Sequence, residues 1–241
     1  MAGHSKFKNI QHRKEAQDKK RTKIFNKLIR DIITAAKSGM QDLESNHKLR
    51  SAVAMAKSFN VPKDKIDRAI KSSHLDKTNY EDIRYEGFLH GVAFIVEATT
   101  DNKNRTAAEI RSIFNKVNGN LAEVGSVSFM FNHVGIIHYN TKDIPEEQIT
   151  HLAIELGAIE VLRQRDNHII YTEIDQFNST VKVLRDKLGV AEDFYLGWVP
   201  LNKIEIIDQS ILEKIKKLIN LLEDNESVER VFNNLLLVGI M

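Results

Sequence analysis

The hydrophobic spacing of this 241-residue chain changes near Tyr85, and that change restricts the fold more than any other feature. Before it, apolar residues recur at steps of three and four, as on helices with one buried face. After it, short apolar runs alternate with helical stretches, as in α+β sheet domains. From Lys23 to Lys37 the stripe is Ile24, Phe25, Leu28, Ile29, Ile32, Ile33 and Ala36, with Ser38-Gly39 as a stop signal. Ser45 or Asn46 caps a second helix that buries Leu49, Ala52, Val53 and Ala56. Pro62 opens a third, with Ile66, Ala69 and Ile70 inward. Upstream of Lys23 the apolar stripe is thin, so that stretch is either a solvated helix extension or a flexible arm.

Beyond Tyr85, "GVAFIVEAT" reads as a strand and "TTDNKNRT" as a polar loop, in which Thr99, Thr100 or Asp101 caps the helix that follows. A helix with Ala107, Ile110, Ile113, Phe114 and Val117 inward ends at "NGN", and "GSVSFMF" reads as the next strand. Residues 134–200 form a closed β-α-β-β-α-β series: "VGIIHYN", helix 145–156, "AIEVLRQ", "HIIYTEI", helix 176–188 and "EDFYLGWV". What remains, with "KIEII", helix 209–223 and "VERVFNN", has the same order. The expected fold class is α+β: an N-terminal three-helix module, then a ferredoxin-like domain carrying a second ferredoxin-like domain as an insertion. The expected domains are 1–76, 77–132 plus 203–241, and the inserted 133–202. A single mixed sheet of about eight strands is the alternative.

The charge is as uneven as the hydrophobic pattern. Residues 1–72 carry 18 Lys/Arg and 7 Asp/Glu, a balance of +11, whereas 73–241 carry 17 and 26, a balance of −9. A basic module attached to an acidic body suits a polyanionic partner bound at one end. With 42% hydrophobic and 28% charged residues the chain reads as globular, and without cysteine it has no disulfide or thiolate metal site. Its longest apolar runs, "GVAFIV" and "LLLVGIM", are far shorter than the roughly 20 residues of a membrane helix, so no membrane partner is expected. No signal-peptide apolar region is visible, and Glu15 and Asp18 argue against a transit peptide.

No catalytic constellation stands out. The chain lacks GxxxxGK, GxGxxG, HExxH and GxSxG motifs. His4 and His12 sit among cations that repel a metal ion, and His133, His138, His151 and His168 are scattered. Glu146-Glu147 suit a helix dipole, while Asp175 and Asp208 suit helix caps. No catalytic residue, metal or cofactor is assigned. Two places carry binding chemistry. The first is the basic start: Lys6, Lys8, His12, Arg13, Lys14, Lys19, Lys20, Arg21, Lys23, Lys27 and Arg30. If 11–30 is helical, Arg13, Lys20, Lys23, Lys27 and Arg30 fall on one stripe, as phosphate neutralisation requires; a merely solvated face is the alternative. The second is the loop Asp101, Asn102, Lys103, Asn104, Arg105 and Thr106 before a helix. It reads equally as an anion or partner site and as a polar turn.

Several long segments are familiar: "MAGHSKFKNIQHRKEAQDKKRTKIFNKLIRDIITAAKSG", "LRSAVAMAKSFNVPKDKIDRAIK", "YEGF", "DNKNRTAAEIRSIFNKVNGNLAEVGSVSFMF" and "LEDNESVERVF". On these the chain resembles the YebC/PmpR family from end to end. Phe7 stands where many members have Trp, and "YEGFLHGV" lacks the usual glycine-rich turn. The resemblance implies a helical N-terminal domain and two α+β domains, the last inserted in the middle one. It also implies a nucleic-acid partner. Some members are described as DNA-binding transcriptional regulators. Others, including the mitochondrial translational activator of cytochrome oxidase subunit one, act on the ribosome, and the family is linked to relief of stalling at proline-rich stretches. The expectation is a non-enzymatic regulator in the bacterial cytoplasm, monomeric or weakly dimeric, that binds DNA. The alternative is a ribosome-associated translation factor that binds ribosomal or transfer RNA.

Overall fold

The computed structural model describes residues 22, 24–37, 42–73, 80–142, 144–164 and 166–236. They fall into two compact units. One comprises the described residues up to Ile83 with Glu97–Thr106 and Glu223–Glu229; the other comprises Arg84–Val96, Ala107–Leu222 and Arg230 onward.

In the first unit, helices α1 (24–37), α2 (His47–Ser58) and α3 (Lys63–Ser72) enclose one core that includes Leu28, Ile32, Leu49, Val53 and Ile66. Asn46 does two jobs. Its Oδ1 accepts from the Leu49 amide (3.0 Å), capping α2, and its Nδ2 donates to the Ala35 carbonyl of α1 (2.9 Å). α2 ends where Asn60 turns left-handed (φ 58°), with Val61 N donating to Ala56 O and Asn60 N to Lys57 O. This paired closure satisfies the last carbonyls. Pro62 then supplies the extended residue before α3. The expected stop at Ser38-Gly39 lies outside the described residues.

The sheets follow. β1 (Glu81–Leu89) and β2 (Val92–Thr100) are joined at His90-Gly91, both with positive φ (49° and 82°), as a two-residue hairpin turn demands. Next come α4 (Lys103–Asn115), β3 (Asn120–Ala122), β4 (Phe131–Asn140), α5 (Glu146–Glu155), β5 (Glu160–Gln164) and β6 (Asn167–Thr172). The rest are α6 (Phe177–Leu188), β7 (Asp193–Pro200), β8 (Ile204–Glu205), α7 (Gln209–Glu223), β9 (Val228–Asn233) and β10 (Leu235–Leu236). One four-stranded sheet has the order β3-β1-β2-β9, the other β5-β6-β4-β7. In the second every neighbouring pair is antiparallel, which is the split βαβ arrangement expected for 134–200. Ile137, Ile149, Ile170 and Leu184 form its fully buried centre. The chain is thus α+β, with helices first and antiparallel sheets after.

The structure corrects the sequence reading in several details. A whole strand, β1, precedes "GVAFIVEAT". "KIEII" contributes two residues, Ile204–Glu205, paired in parallel with β10 and outside the four-stranded sheets. "GSVSFMF" is a turn with a 3-10 segment at Ser128–Met130, and the edge strand is Asn120–Ala122 instead. The reason is Glu86 on β1. Its Oε2 accepts from the amides of Val127 (2.7 Å) and Ser128 (3.0 Å), taking both from any strand ladder. Asp175 is not a cap; Gln176 holds that position without a side-chain bond. Asp208 does cap α7, through the amides of Ser210 (2.7 Å) and Ile211 (3.3 Å); the Ser210 hydroxyl first, then these amides, hold its carboxyl below the ordinary range.

Candidate nucleic-acid interface

Of the eleven residues expected to grip phosphate, Lys27 and Arg30 lie on α1; Lys6, Lys8, His12, Arg13, Lys14, Lys19, Lys20, Arg21 and Lys23 lie outside the described residues. Arg30 does not point freely outward. Its guanidinium pairs with Glu229 on β9 and lies over the Tyr80 ring, 5.7 Å from the centroid. Both side chains are mostly buried, at 19% and 8% exposure. Burial pushes the Glu229 carboxyl above its ordinary value. Lys27 and Arg30 pull it down, while the Asp31 and Asp82 charges add to the rise. Asp82 also accepts from Thr99 Oγ1 at 2.6 Å. The described end of the basic stripe is therefore compensated by carboxylates. Glu229 and Tyr80 escaped the sequence reading because no local spacing links α1 to a residue 199 positions away.

The loop 101–106 is likewise self-contained. Asn102, not Thr99, Thr100 or Asp101, caps α4: its Oδ1 accepts from the Arg105 amide at 3.1 Å. Thr100 Oγ1 accepts from the Asn102 amide at 2.9 Å and meets Thr106 Oγ1 at 2.8 Å. Lys103 pairs with Glu81 at 2.5 Å, and Arg105 pairs with Asp101. An anion entering here displaces carboxylates already held by both cations. The cap was legible as Asn three positions before Arg105; the pairing with Glu81 was not.

The other notable polar cluster surrounds Glu86. Besides the two amides, Arg84 Nε lies 3.1 Å from its Oε1. The Arg84 guanidinium covers the Trp198 ring at 4.7 Å, and Trp198 stacks on His133 at 4.3 Å with planes 8° apart. Burial raises the Glu86 carboxyl, but the amides of Gly125, Val127 and Ser128 and the Arg84 charge outweigh it and hold the group below its ordinary value. The amides hold Oε2, whereas buried Oε1 has the Arg84 charge beside it and no hydrogen bond of its own. Among the described residues no three His, Asp or Glu side chains are grouped to hold a metal ion, and no helix is long and apolar enough to cross a membrane.

The helical module followed by two antiparallel sheets matches known proteins over nearly all its length. The sequence profile of the TACO1/YebC second and third domain covers residues 80–235, and that of the TACO1/YebC N-terminal domain covers 5–74. The chain belongs to the TACO1/YebC family. A Rickettsia bellii relative named "probable transcriptional regulatory protein" is 54% identical, over 97% of this chain and 93% of its own length. A Rickettsia felis relative of the same name is 52% identical, over 97% and 94%. The crystal structure of a conserved hypothetical protein from Aquifex aeolicus superposes with a TM-score of 0.78 at 40% identity, covering 90% of each chain. For this TACO1/YebC chain the fold is shared with a solved structure, and its curated relatives carry the names of regulators.

Proposed function

We propose that this TACO1/YebC chain is a non-enzymatic regulator of gene expression that binds DNA through its basic N-terminal module. The observation that carries the reading is the charge split: +11 over residues 1–72 against −9 over the rest. Phosphate neutralisation needs such a concentration of cations, and an acidic body keeps the remaining surface off the polyanion. The relatives' names as transcriptional regulators support the same direction. In this reading Arg13, Lys14, Lys20, Arg21 and their neighbours contact phosphates, and the α+β body orients the complex in the cytoplasm as a monomer or weak dimer. The three domains are 1–76, 77–132 with 203–241, and 133–202.

A salt titration tests it. Binding of a mixed-sequence DNA duplex, followed by gel shift from 50 to 200 mM salt, is expected to weaken by about 0.9 log units per log unit of salt for each phosphate contact. A salt-independent response sinks the reading.

One observation favours a second reading, in which the polyanion is ribosomal or transfer RNA. The exposed side of α3 carries Lys63, Asp64, Lys65, Asp67, Arg68 and Lys71, without the Asn or Gln that reads base edges in a major groove. Sedimentation of a lysate with and without RNase separates the two: RNase-sensitive travel with ribosomes supports RNA, and RNase-insensitive migration at the top of the gradient counts against it.

A further inference from the structure

Helix α2, with the sequence HKLRSAVAMAKS, is the one helix of α1–α7 that contains no Asp or Glu among the described residues. Its buried side is Leu49, Val53 and Ala56. Steps of four, three and four place His47, Ser51, Ala54 and Ser58 along the opposite side. Arg50 and Lys57, seven residues apart, flank that stripe on one edge, and Lys48 flanks it on the other; all three are exposed. The neighbouring helices differ. On α3, Asp64 and Asp67 stand four residues before Arg68 and Lys71, the spacing at which opposite charges offset one another. On α1, Arg30 is taken by Glu229. Lys48 and Lys57 have no ion pair among the described residues. Arg50 Nη1 donates to the carbonyls of Leu43 (3.4 Å) and Glu44 (3.2 Å), which orients the guanidinium and leaves its other N–H groups available. Of the acids preceding the helix, Asp42 is engaged by the Ser45 amide (3.0 Å) and hydroxyl (2.7 Å).

We propose that this face of α2 is a second polyanion contact, seated against the sugar-phosphate backbone of the nucleic acid that the N-terminal arm binds. The inference rests on the nucleic-acid reading above and adds a surface to it. Charge complementarity selects the occupant, because an acid-free, cation-edged face gains most against repeating phosphates. The small side chains in the middle let the helix approach closely. Arg50 and Lys57 are separated by about 10 Å along the axis, roughly three nucleotide rises on one strand. Ser51 adds a hydroxyl donor between the charged edges. The exposed face has no Asn or Gln and Arg50 is tied to the Leu43 and Glu44 carbonyls, so the contact is expected to be independent of sequence.

The test uses the full chain, a 30-base-pair DNA duplex and an RNA duplex of the same sequence, with anisotropy titrations from 50 to 200 mM salt. K48A/K57A is expected to reduce the salt slope on DNA by about 1.8, two contacts at 0.9 each, with circular dichroism unchanged because both side chains lie off the core. S51E, which puts an anion in the middle of the face, is expected to weaken binding at every salt concentration. If wild type binds with a steep slope and both variants match it, the α2 surface is overturned while the arm remains. If wild type itself shows no salt-dependent binding to either duplex, the nucleic-acid reading fails and this surface with it.

Discussion

Glu86 and Glu229 are both glutamates in strands of the same sheet, and both are withdrawn from water. They titrate in opposite directions. Glu86 meets backbone amides and one arginine, so its charge is stabilised despite complete burial. Glu229 meets Arg30 but also the Asp31 and Asp82 charges, and burial wins. What separates them is the donor supply: fixed amide dipoles solvate a buried carboxylate, whereas the Lys27 and Arg30 charges, shared with Asp31 and Asp82, do not offset its burial. One residue organises a turn; the other holds the helix that carries the described end of the basic stripe.

The largest expected effect comes from removing the better-satisfied carboxylate. Glu86→Ala leaves the buried Val127 amide, the half-buried Ser128 amide and Arg84 without their acceptor, and should cost about 3–5 kcal/mol in urea unfolding. A loss below about 1 kcal/mol would show that the amides find other partners and that Glu86 does not organise the turn. Arg30→Ala should cost less, about 2 kcal/mol, because the Glu229 carboxyl left behind keeps the Lys27 charge and takes up a proton more readily than an ordinary glutamate. Adding Glu229→Gln to Arg30→Ala should recover much of that loss; strict additivity would mean the two side chains are not coupled.

The contrast in titration sharpens the comparison further. With its folded pKa depressed, Glu86 contributes stability that is complete above the ordinary glutamate value of 4.5 and is lost as pH falls through the depressed value. Glu229, with its folded pKa raised above 4.5, contributes stability that is complete below that value and is lost as pH rises through the raised one. Relative to wild type, Glu86→Gln should therefore grow worse from acid to neutral pH, and Glu229→Gln should improve. Parallel pH profiles for the two variants would contradict the assignment. The smallest effect is a neutral baseline. Burial pushes the Tyr139 hydroxyl up to about 12, so it stays protonated and donates to Gly189 O at 3.0 Å. Tyr139→Phe should cost about 1 kcal/mol, with the same loss at pH 5 and pH 8.

Local periodicity was enough wherever an element's buried face is written in its own residues. Helix α1 follows from Leu28, Ile29 and Ile32, the start of α2 from Asn46, and the β4–β7 series from strands and helices that alternate and close in order. The "GSVSFMF" run failed because its apolar content suits a strand while Glu86, some forty residues earlier, claims its amides. The binding chemistry divides in the same way. That 47–58 holds cations and no acids is plain in the sequence; that Lys48, Arg50 and Lys57 face water follows only from the burial of Leu49, Val53 and Ala56. Lys27 and Arg30 sit on a basic stripe by spacing, yet β9 delivers the carboxylate that takes Arg30.

By itself, then, the sequence determined the helical start, the α+β body and the concentration of positive charge at one end, because these depend on spacing and composition along a few turns or strands. Only the tertiary structure decided which charges are spent internally and which turn replaces a strand. Those outcomes depend on partners brought from distant positions, where desolvation and available donors set the balance.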